Sequence, residues 1–364
     1  MKFGLFVNTE RDTVPFGEQW DEDLFELVLA DELGFAEAWI SEHGVTPELL
    51  ICKAAGLTKQ IRMGPGVRPL PFHHPLQVVI EANATDHLTN GRYNLGIGLG
   101  GPESGAHAMG MRGIPEEHRR DMMHESIDYI LTALTKKGPY DYDGRFWSGR
   151  NIQLLPESSV QNPRVPIGIS TTGTESTIRM AAEKEMFPIF SHYSPPEQIK
   201  DAGDIFAEEC KRVGRTNPRS QIRGCAFIYV ADTMEQARDD IRDAVNVSIE
   251  HHKSVYPHHY KTLIPENGVL ADVNFDHLVD IGNMIVGDAD HVYRGVRDFY
   301  DRAGGLGMFL LLAGKDFGTR DQRRKSWTLF MEKVAPRLSA LDPDAFEPAA
   351  GGDESVRRLT SAAQ

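Results

Sequence analysis

Ala36–Glu37–Ala38–Trp39–Ile40–Ser41–Glu42–His43 is a short apolar run that ends abruptly in a carboxylate and an imidazole. Apolar residues followed by titratable ones at the carboxyl end of a strand are how a (β/α)8 barrel presents catalytic groups. The helix expected before this run, Trp20 to Leu33, closes with Gly34, a residue suited to the position just past a helix. Glu42 and His43 are therefore the first candidates for a catalytic pair at a barrel mouth. Histidine changes charge near neutral pH and serves in proton transfer. A capping carboxylate and a histidine bonded to a loop are the plainer reading of the same residues.

Outward from this strand, the pattern repeats along the chain. Phe3–Val7 reads as a first strand, unbroken and apolar like one buried on both faces. Further strands are expected at 61–67, 93–98, 165–170, 187–190, 222–230 and 308–312. Helices are expected between them, including Pro75–Leu88, with proline in its first turn, and the long Glu116–Lys137. Eight strand–helix alternations imply parallel, right-handed connections and a closed α/β barrel of the TIM type. Two stretches break the rhythm. Residues 138–163 look like an excursion with a hairpin turn at Asp143–Gly144. Residues 251–286, with His251–His252 and His258–His259, read as an irregular insertion that caps the mouth. The expected organisation is one domain over 1–340 and a disordered tail over 341–364, rich in Ala, Gly, Asp and Ser.

The 364 residues carry a formal net charge of −14, which argues against nucleic acid as a main partner. Cys52, Cys210 and Cys225 are odd in number and lack metal-type spacing, as expected of a chain in a reducing compartment. Met1–Lys2–Phe3 leads straight into a strand, and no run of 18 apolar residues occurs; a soluble, cytoplasmic protein away from membranes is expected. The histidine pairs have neither carboxylate spacing nor an HExxH pattern, so no metal is expected.

Three glycine- and threonine-rich stretches suggest binding. In Gly64–Pro65–Gly66–Val67–Arg68–Pro69, glycines ending a strand let the backbone approach a flat ligand or take an unusual peptide geometry; a crowded turn is the alternative. In Gly91–Arg92–Tyr93–Asn94–Leu95–Gly96–Ile97–Gly98–Leu99–Gly100–Gly101, the next clear helix begins too far on for a dinucleotide fingerprint. Glycines making room for a ring at the rim fit better. In Thr171–Thr172–Gly173–Thr174–Glu175–Ser176–Thr177, hydroxyls and free N–H groups at a helix start form a phosphate cradle, or simply cap the helix.

The set formed by Ser41–Glu42–His43, Gly64–Leu76, Asp86–Gly100 and the late block from Gly304 to Leu338 resembles the bacterial luciferase-like flavin monooxygenases. The resemblance covers about residues 1–340 and is closest to the limonene and long-chain-alkane monooxygenase branch. It implies a TIM barrel that binds reduced FMN supplied by a separate NAD(P)H-dependent reductase. It also implies dioxygen activation as a flavin 4a-hydroperoxide. Carried over residue by residue, it gives His43 the active-site role, Gly66–Val67 a non-proline cis peptide against the ring, and Gly98 and Gly100 the ring and ribityl approach. Thr174, Ser176 and Thr177 take the phosphate. Gly44 stands where many members have a second histidine, and Leu99 where luciferases have an arginine, so light emission is not expected.

The expected function is thus oxygenation of a small or medium apolar organic compound, Baeyer–Villiger insertion included, by a homodimer whose face lies near Pro75–Leu88 and Glu116–Leu134. Core packing explains those two helices equally well. A deazaflavin-dependent hydride-transfer oxidoreductase is the alternative, since the same superfamily contains such enzymes.

Overall fold

A computed structural model describes residues 1–9, 11, 14–42, 46–100, 116–255, 260–261 and 263–346. The expected catalytic residue His43, and with it Gly44, Gly101 and His258–His259, lie outside the described residues.

Strands β1 (Lys2–Val7), β2 (Glu37–Ile40), β3 (Arg62–Pro65), β4 (Arg68–Pro69), β5 (Leu95–Gly98), β6 (Tyr140–Asp143), β7 (Ser148–Ile152), β8 (Ile167–Ser170), β9 (Phe187–Ile189), β10 (Arg223–Val230), β11 (Met284–Gly287) and β12 (Met308–Ala313) follow in chain order. The main sheet runs β3-β2-β1-β12-β10-β9-β8-β5-β4, with every pairing parallel. A parallel bridge between Met63 and Tyr93 joins its two ends, so the sheet curls into a nearly closed barrel. Helices α1 (Phe16–Leu33), α2 (Pro47–Ala55), α3 (Pro75–Leu88), α4 (Glu116–Thr135), α5 (Glu175–Glu183), α6 (Pro196–Arg212), α7 (Met234–Val255), α8 (Phe275–Asp280), α9 (Ala289–Arg302), α10 (Arg320–Leu329) and α11 (Ala335–Leu338) connect and surround the strands. This is the expected TIM-type architecture.

Strand alternation divides the apolar side chains into two sets. Ala38, Ile40, Ile228, Val230, Phe309 and Leu311 pack outward into the layer under the helices. Trp39, Phe227, Tyr229, Leu310 and Leu312 belong to a second cluster inside the barrel and toward its mouth. The indole of Trp39 fills the centre only because its neighbours lack side chains. A Cβ on Gly64 or Gly96 would first strike the neighbouring strand, Asn94 O at 2.2 Å and Pro65 O at 1.9 Å, and then the ring at 3.2 and 3.1 Å; one on Gly66 would meet Trp39 Cβ at 2.9 Å. Gly64 and Gly96 thus let β3 and β5 approach each other, with the indole packed beside them.

Beneath the indole lies a polar floor. Trp39 Nε1 donates to Glu37 at 3.0 Å, and Arg223 Nη2 pairs with the same carboxylate at 2.8 Å. Burial alone would raise the pKa of Glu37, but the charge and hydrogen bonds of Arg223, with the indole N–H, outweigh it and hold it below the usual range. Glu37 entered the sequence reading as part of an apolar run; tertiary pairing makes it a barrel-floor anion.

Two further expectations need correction. The 251–286 stretch is more regular than expected: α7 runs on to Val255, α8 follows, and β11 pairs beside β10, Phe227 opposite Met284. Met284–Gly287 is buried throughout, an apolar run too short to stand out between histidines and prolines. The tail expected from 341 begins as packed chain: Met1 N donates to Leu341 O at 2.5 Å, Asp344 accepts from Arg219 N at 2.7 Å, and Phe346 stacks edge-on against Tyr300. Residues 347–364 lie outside the described residues. The 138–163 excursion does contain an antiparallel hairpin, β6–β7, whose loop is held by Glu125 accepting from Arg145, Phe146 and Trp147 N. The apolar residues Val78, Val79, Ile127 and Ile130 of α3 and α4 are buried within the chain.

A buried charge network ties α1 and α10 to the loop after β12. Arg11 pairs with Asp23 at 3.0 Å and Glu26 at 2.9 Å, and Glu26 also accepts from Gly314 N at 2.8 Å and pairs with Arg323 at 3.1 Å. Burial, then the nearby Glu26 charge, push Asp23 up to about 6 in spite of Arg11. A folded-state value above the ordinary 3.8 means that the folded protein takes up a proton first as pH falls. The wild type should therefore gain on an Asp23→Asn variant by about 1–3 kcal/mol between pH 7 and pH 4. Denaturant unfolding of both proteins across that range checks this; a pH-independent difference would refute it.

Candidate active site at the barrel mouth

At the carboxyl ends of the strands, Glu42 is the first candidate that the structure describes. It does not project freely. Its carboxylate accepts or shares a proton with His73 Nε2 at 2.6 Å and pairs with Arg68 Nε at 3.3 Å. Arg68 is 3% exposed and also pairs with Glu48 and Glu81, while Tyr93 Oη donates to Glu48 at 2.8 Å. Burial would lower the pKa of Arg68, but Glu48 and Glu42 outweigh it and raise it, so the guanidinium stays charged. Burial and the Glu48 charge raise the Tyr93 phenol, which stays a donor. Glu42 is thus held between Arg68 and His73, one residue before His43.

The peptide Gly66–Val67 is cis, as the resemblance implies. It comes together with Gly98: a Cβ on Gly98 would lie 2.6 Å from Val67 Cγ2 and 2.4 Å from Ser170 Oγ. Val67, Gly98 and Ser170 therefore meet in one tight patch at the ends of three adjoining strands. Gly100 follows at φ +76°, a conformation that favours glycine.

Beyond Ser170 the chain turns into α5. Gly173, at φ +87°, donates its N–H to Thr171 Oγ1 at 2.9 Å, and Thr174 is the residue that precedes the helix. Thr174 makes no side-chain capping bond, and Thr172, Thr174 and Ser176 are exposed while Thr177 is half-buried. Capping by Thr174 is thus not what this sequence does. An uncapped helix N-terminus flanked by exposed hydroxyls has the chemistry to receive a phosphate. These residues fit a flat, phosphate-bearing cofactor: a patch of small side chains for the ring, and hydroxyls with helix-start N–H groups for the anion. Among the described residues, no group of three or more His, Cys, Asp or Glu is arranged to hold a metal ion.

A cavity lies at the same end of the barrel, lined in part by α7, α8, Tyr260 and Leu263. Its empty space, open solvent at the entrance included, amounts to about 570 Å³. Phe227, Ile249, Leu278, Met284, Leu312 and Phe317 form apolar walls; His192, Tyr193, His252, Tyr260 and Lys315 bring polar groups. His252, Tyr260, Leu263, Leu278 and Met284 of the 251–286 stretch therefore line this cavity. Arg11, through Lys315 O, and Glu26, through Gly314 N, hold the wall that follows β12.

Sequence reasoning missed Arg68, Glu48 and His73, as well as Tyr193 and Tyr260. Arg68 carried a signal, a lone cation in a proline- and glycine-rich strand end. Glu48 lies in the first turn of α2 and Tyr193 in an unremarked loop, and only folding brings each to its partner.

The sequence model of the luciferase-like monooxygenase family matches residues 1–306. The 4-hydroxyprotoasukamycin monooxygenase of Streptomyces nodosus subsp. asukaensis is 32% identical, covering 93% of this chain and 92% of that protein. Limonene 1,2-monooxygenase of Rhodococcus erythropolis is 28% identical over 94% of this chain and 88% of that protein. Among solved structures, the oxygenating constituent of 3,6-diketocamphane monooxygenase from Pseudomonas putida, a type II Baeyer–Villiger enzyme in complex with FMN, superposes with a TM-score of 0.78 at 23% identity. That match covers 93% of this chain and 98% of the other. No helix among the described residues is long and apolar enough to cross a membrane.

Arg68 makes a sharp test of the scaffold. Arg68→Met would leave Glu42, Glu48 and Glu81 without their common cation and should cost about 3–5 kcal/mol of stability in denaturant unfolding. A loss below about 1 kcal/mol would show that the cluster does not hold the mouth.

Proposed function

The chain belongs to the luciferase-like monooxygenase family, and from that premise we propose that it is the oxygenating component of a two-component flavin monooxygenase. Reduced FMN arrives from a separate NAD(P)H-dependent reductase, and one atom of dioxygen enters a small or medium apolar organic substrate while the other leaves as water. The FMN complex and the Baeyer–Villiger description of the Pseudomonas putida protein support this reading. A homodimer in the cytoplasm is part of the same proposal.

The observation that carries it is the apolar cavity at the same barrel end as the Val67–Gly98 patch and the uncapped start of α5. Gly66, Val67, Gly98 and Gly100 would lie against the flavin ring. Thr172, Gly173, Thr174, Ser176 and Thr177 would hold its phosphate through hydroxyls and backbone N–H groups. The bound flavin supplies the electrons and the activation of dioxygen. The chain's own task is to bind, orient and keep water out, because water exposure diverts activated oxygen to hydrogen peroxide. His43 would hold or release a proton at its imidazole, and Glu42 would steady its neighbourhood through Arg68 and His73.

Anaerobic titration with reduced FMN and, separately, with a reduced deazaflavin, each followed by an oxygen pulse, tests the reading. Tighter binding of reduced FMN and an oxygen-dependent absorbance transient are expected. Preference for the deazaflavin with no transient would replace the proposal with hydride transfer. Once a substrate is in hand, His43→Ala should raise the share of oxygen consumed without product several-fold; unchanged coupling would remove His43 from the site.

A further inference from the structure

The hairpin β6–β7 is clamped to one side of α4. Glu125 accepts from Arg145, Phe146 and Trp147 N, and Trp147 Nε1 donates to Ser126 Oγ at 2.9 Å. One helical turn beyond Glu125, on the same face, Tyr129 meets Tyr142 of β6. The two rings are parallel within 3° and their centroids lie 3.8 Å apart. Their planes are thus no further apart than ordinary van der Waals contact between ring carbons. Tyr129 is fully buried, and its hydroxyl finds no hydrogen-bond partner among the described residues. Gly149 of β7 leaves the space that this hydroxyl fills, since a Cβ there would come within 2.8 Å of Tyr129 Oη. A buried hydroxyl without a partner is unfavourable, and phenylalanine would stack as well. Packing therefore gives no reason for a phenol at this position.

We propose that Tyr129 and Tyr142 are a modification site, at which one-electron oxidation of this chain ends in a dityrosine bond joining α4 to β6. The inference goes beyond the oxygenase reading and does not depend on it. The co-reactant is two equivalents of a one-electron oxidant of the peroxyl or carbonate radical class. Tyr142, half-buried on the hairpin, gives the first equivalent one electron and releases its O–H proton to water. Its radical, spread over the carbons ortho to the oxygen, bonds to an ortho carbon of the Tyr129 ring stacked on it. The second equivalent removes one electron from this adduct. The Tyr129 ortho hydrogen then leaves as a proton, and the Tyr142 ortho hydrogen moves to its own oxygen, so both rings are again phenols. Two electrons and two protons leave in all, and Tyr129 keeps its O–H proton throughout. That order suits the site: burial, then Tyr140 and Tyr142, push the Tyr129 phenol up to about 12. Rings already held in contact need no encounter, which favours this pair over tyrosines that meet only by collision.

Brief exposure of the full chain, without flavin, to photogenerated tris(bipyridyl)ruthenium(III) with persulfate as final electron acceptor tests this. Peptide mass spectrometry of the single-chain gel band should find the Tyr129–Tyr142 link, two hydrogens lighter than its parts, as the leading product. Its yield should not change on dilution. Tyr129→Phe and Tyr142→Phe should each lower the total dityrosine fluorescence of that band about tenfold. Tyr293→Phe, on α9, should leave it unchanged. Tyr129→Phe removes only an unbonded hydroxyl, so this variant is expected to fold, and circular dichroism checks that it does. Linking that follows exposure across the tyrosines, a bond from Tyr129 to Tyr140 instead, fluorescence unchanged in both variants, or no product within one chain would each overturn the proposal.

Discussion

The structure depends on one steric fact: the indole of Trp39 occupies the middle of the barrel. Strands β3 and β5 close against each other and against it because Gly64, Gly66 and Gly96 offer no Cβ there. Below, Glu37 accepts the indole N–H and pairs with Arg223, so the ring is anchored in orientation as well as depth. A close-packed interior does not deform continuously. With the plug fixed, the path of β3 is fixed, and with it the place where Gly66–Val67 emerges beside Gly98 and Ser170.

Around this core, buried charge holds the rim. Arg68 collects Glu42, Glu48 and Glu81, joining the segment after β2, the start of α2 and α3. On the other side Arg11, Arg323, Glu22, Asp23 and Glu26 bind α1 and α10 to the loop after β12. Such clusters add little net stability over an apolar core, and their value lies in register. Each carboxylate accepts only one arrangement of its partners, so the loops that they hold present a defined mouth. Catalytic geometry tolerates displacements of a fraction of an ångström, which an unrestrained loop would exceed.

The mouth divides its labour. On the β3–β5–β8 side, small side chains and an uncapped helix start leave room for a flat ring and its phosphate. On the β9–β12 side, aromatic and aliphatic walls under α7 and α8 enclose a space for an apolar body, edged by Tyr193, His252 and Tyr260.

The sequence by itself determined the barrel. Alternation of apolar runs with helical periodicity is local information, and strands buried on both faces announce themselves whatever they pair with. It also determined the position of Glu42, the Gly66–Val67 peptide and the threonine turn before α5, since each belongs to a contiguous motif. The tertiary structure alone decided what these residues touch. Glu37 read as part of an apolar run until Arg223, 186 residues away, paired with it. Gly64 and Gly96 read as space for a ligand, and what meets them is the adjoining strand backbone and Trp39. The short strand β11, the partners of Arg68 and the Tyr193–His252 contact were invisible for the same reason. A hydrogen bond or an ion pair between distant segments depends on where the backbone brings them, and spacing along the chain does not encode that distance.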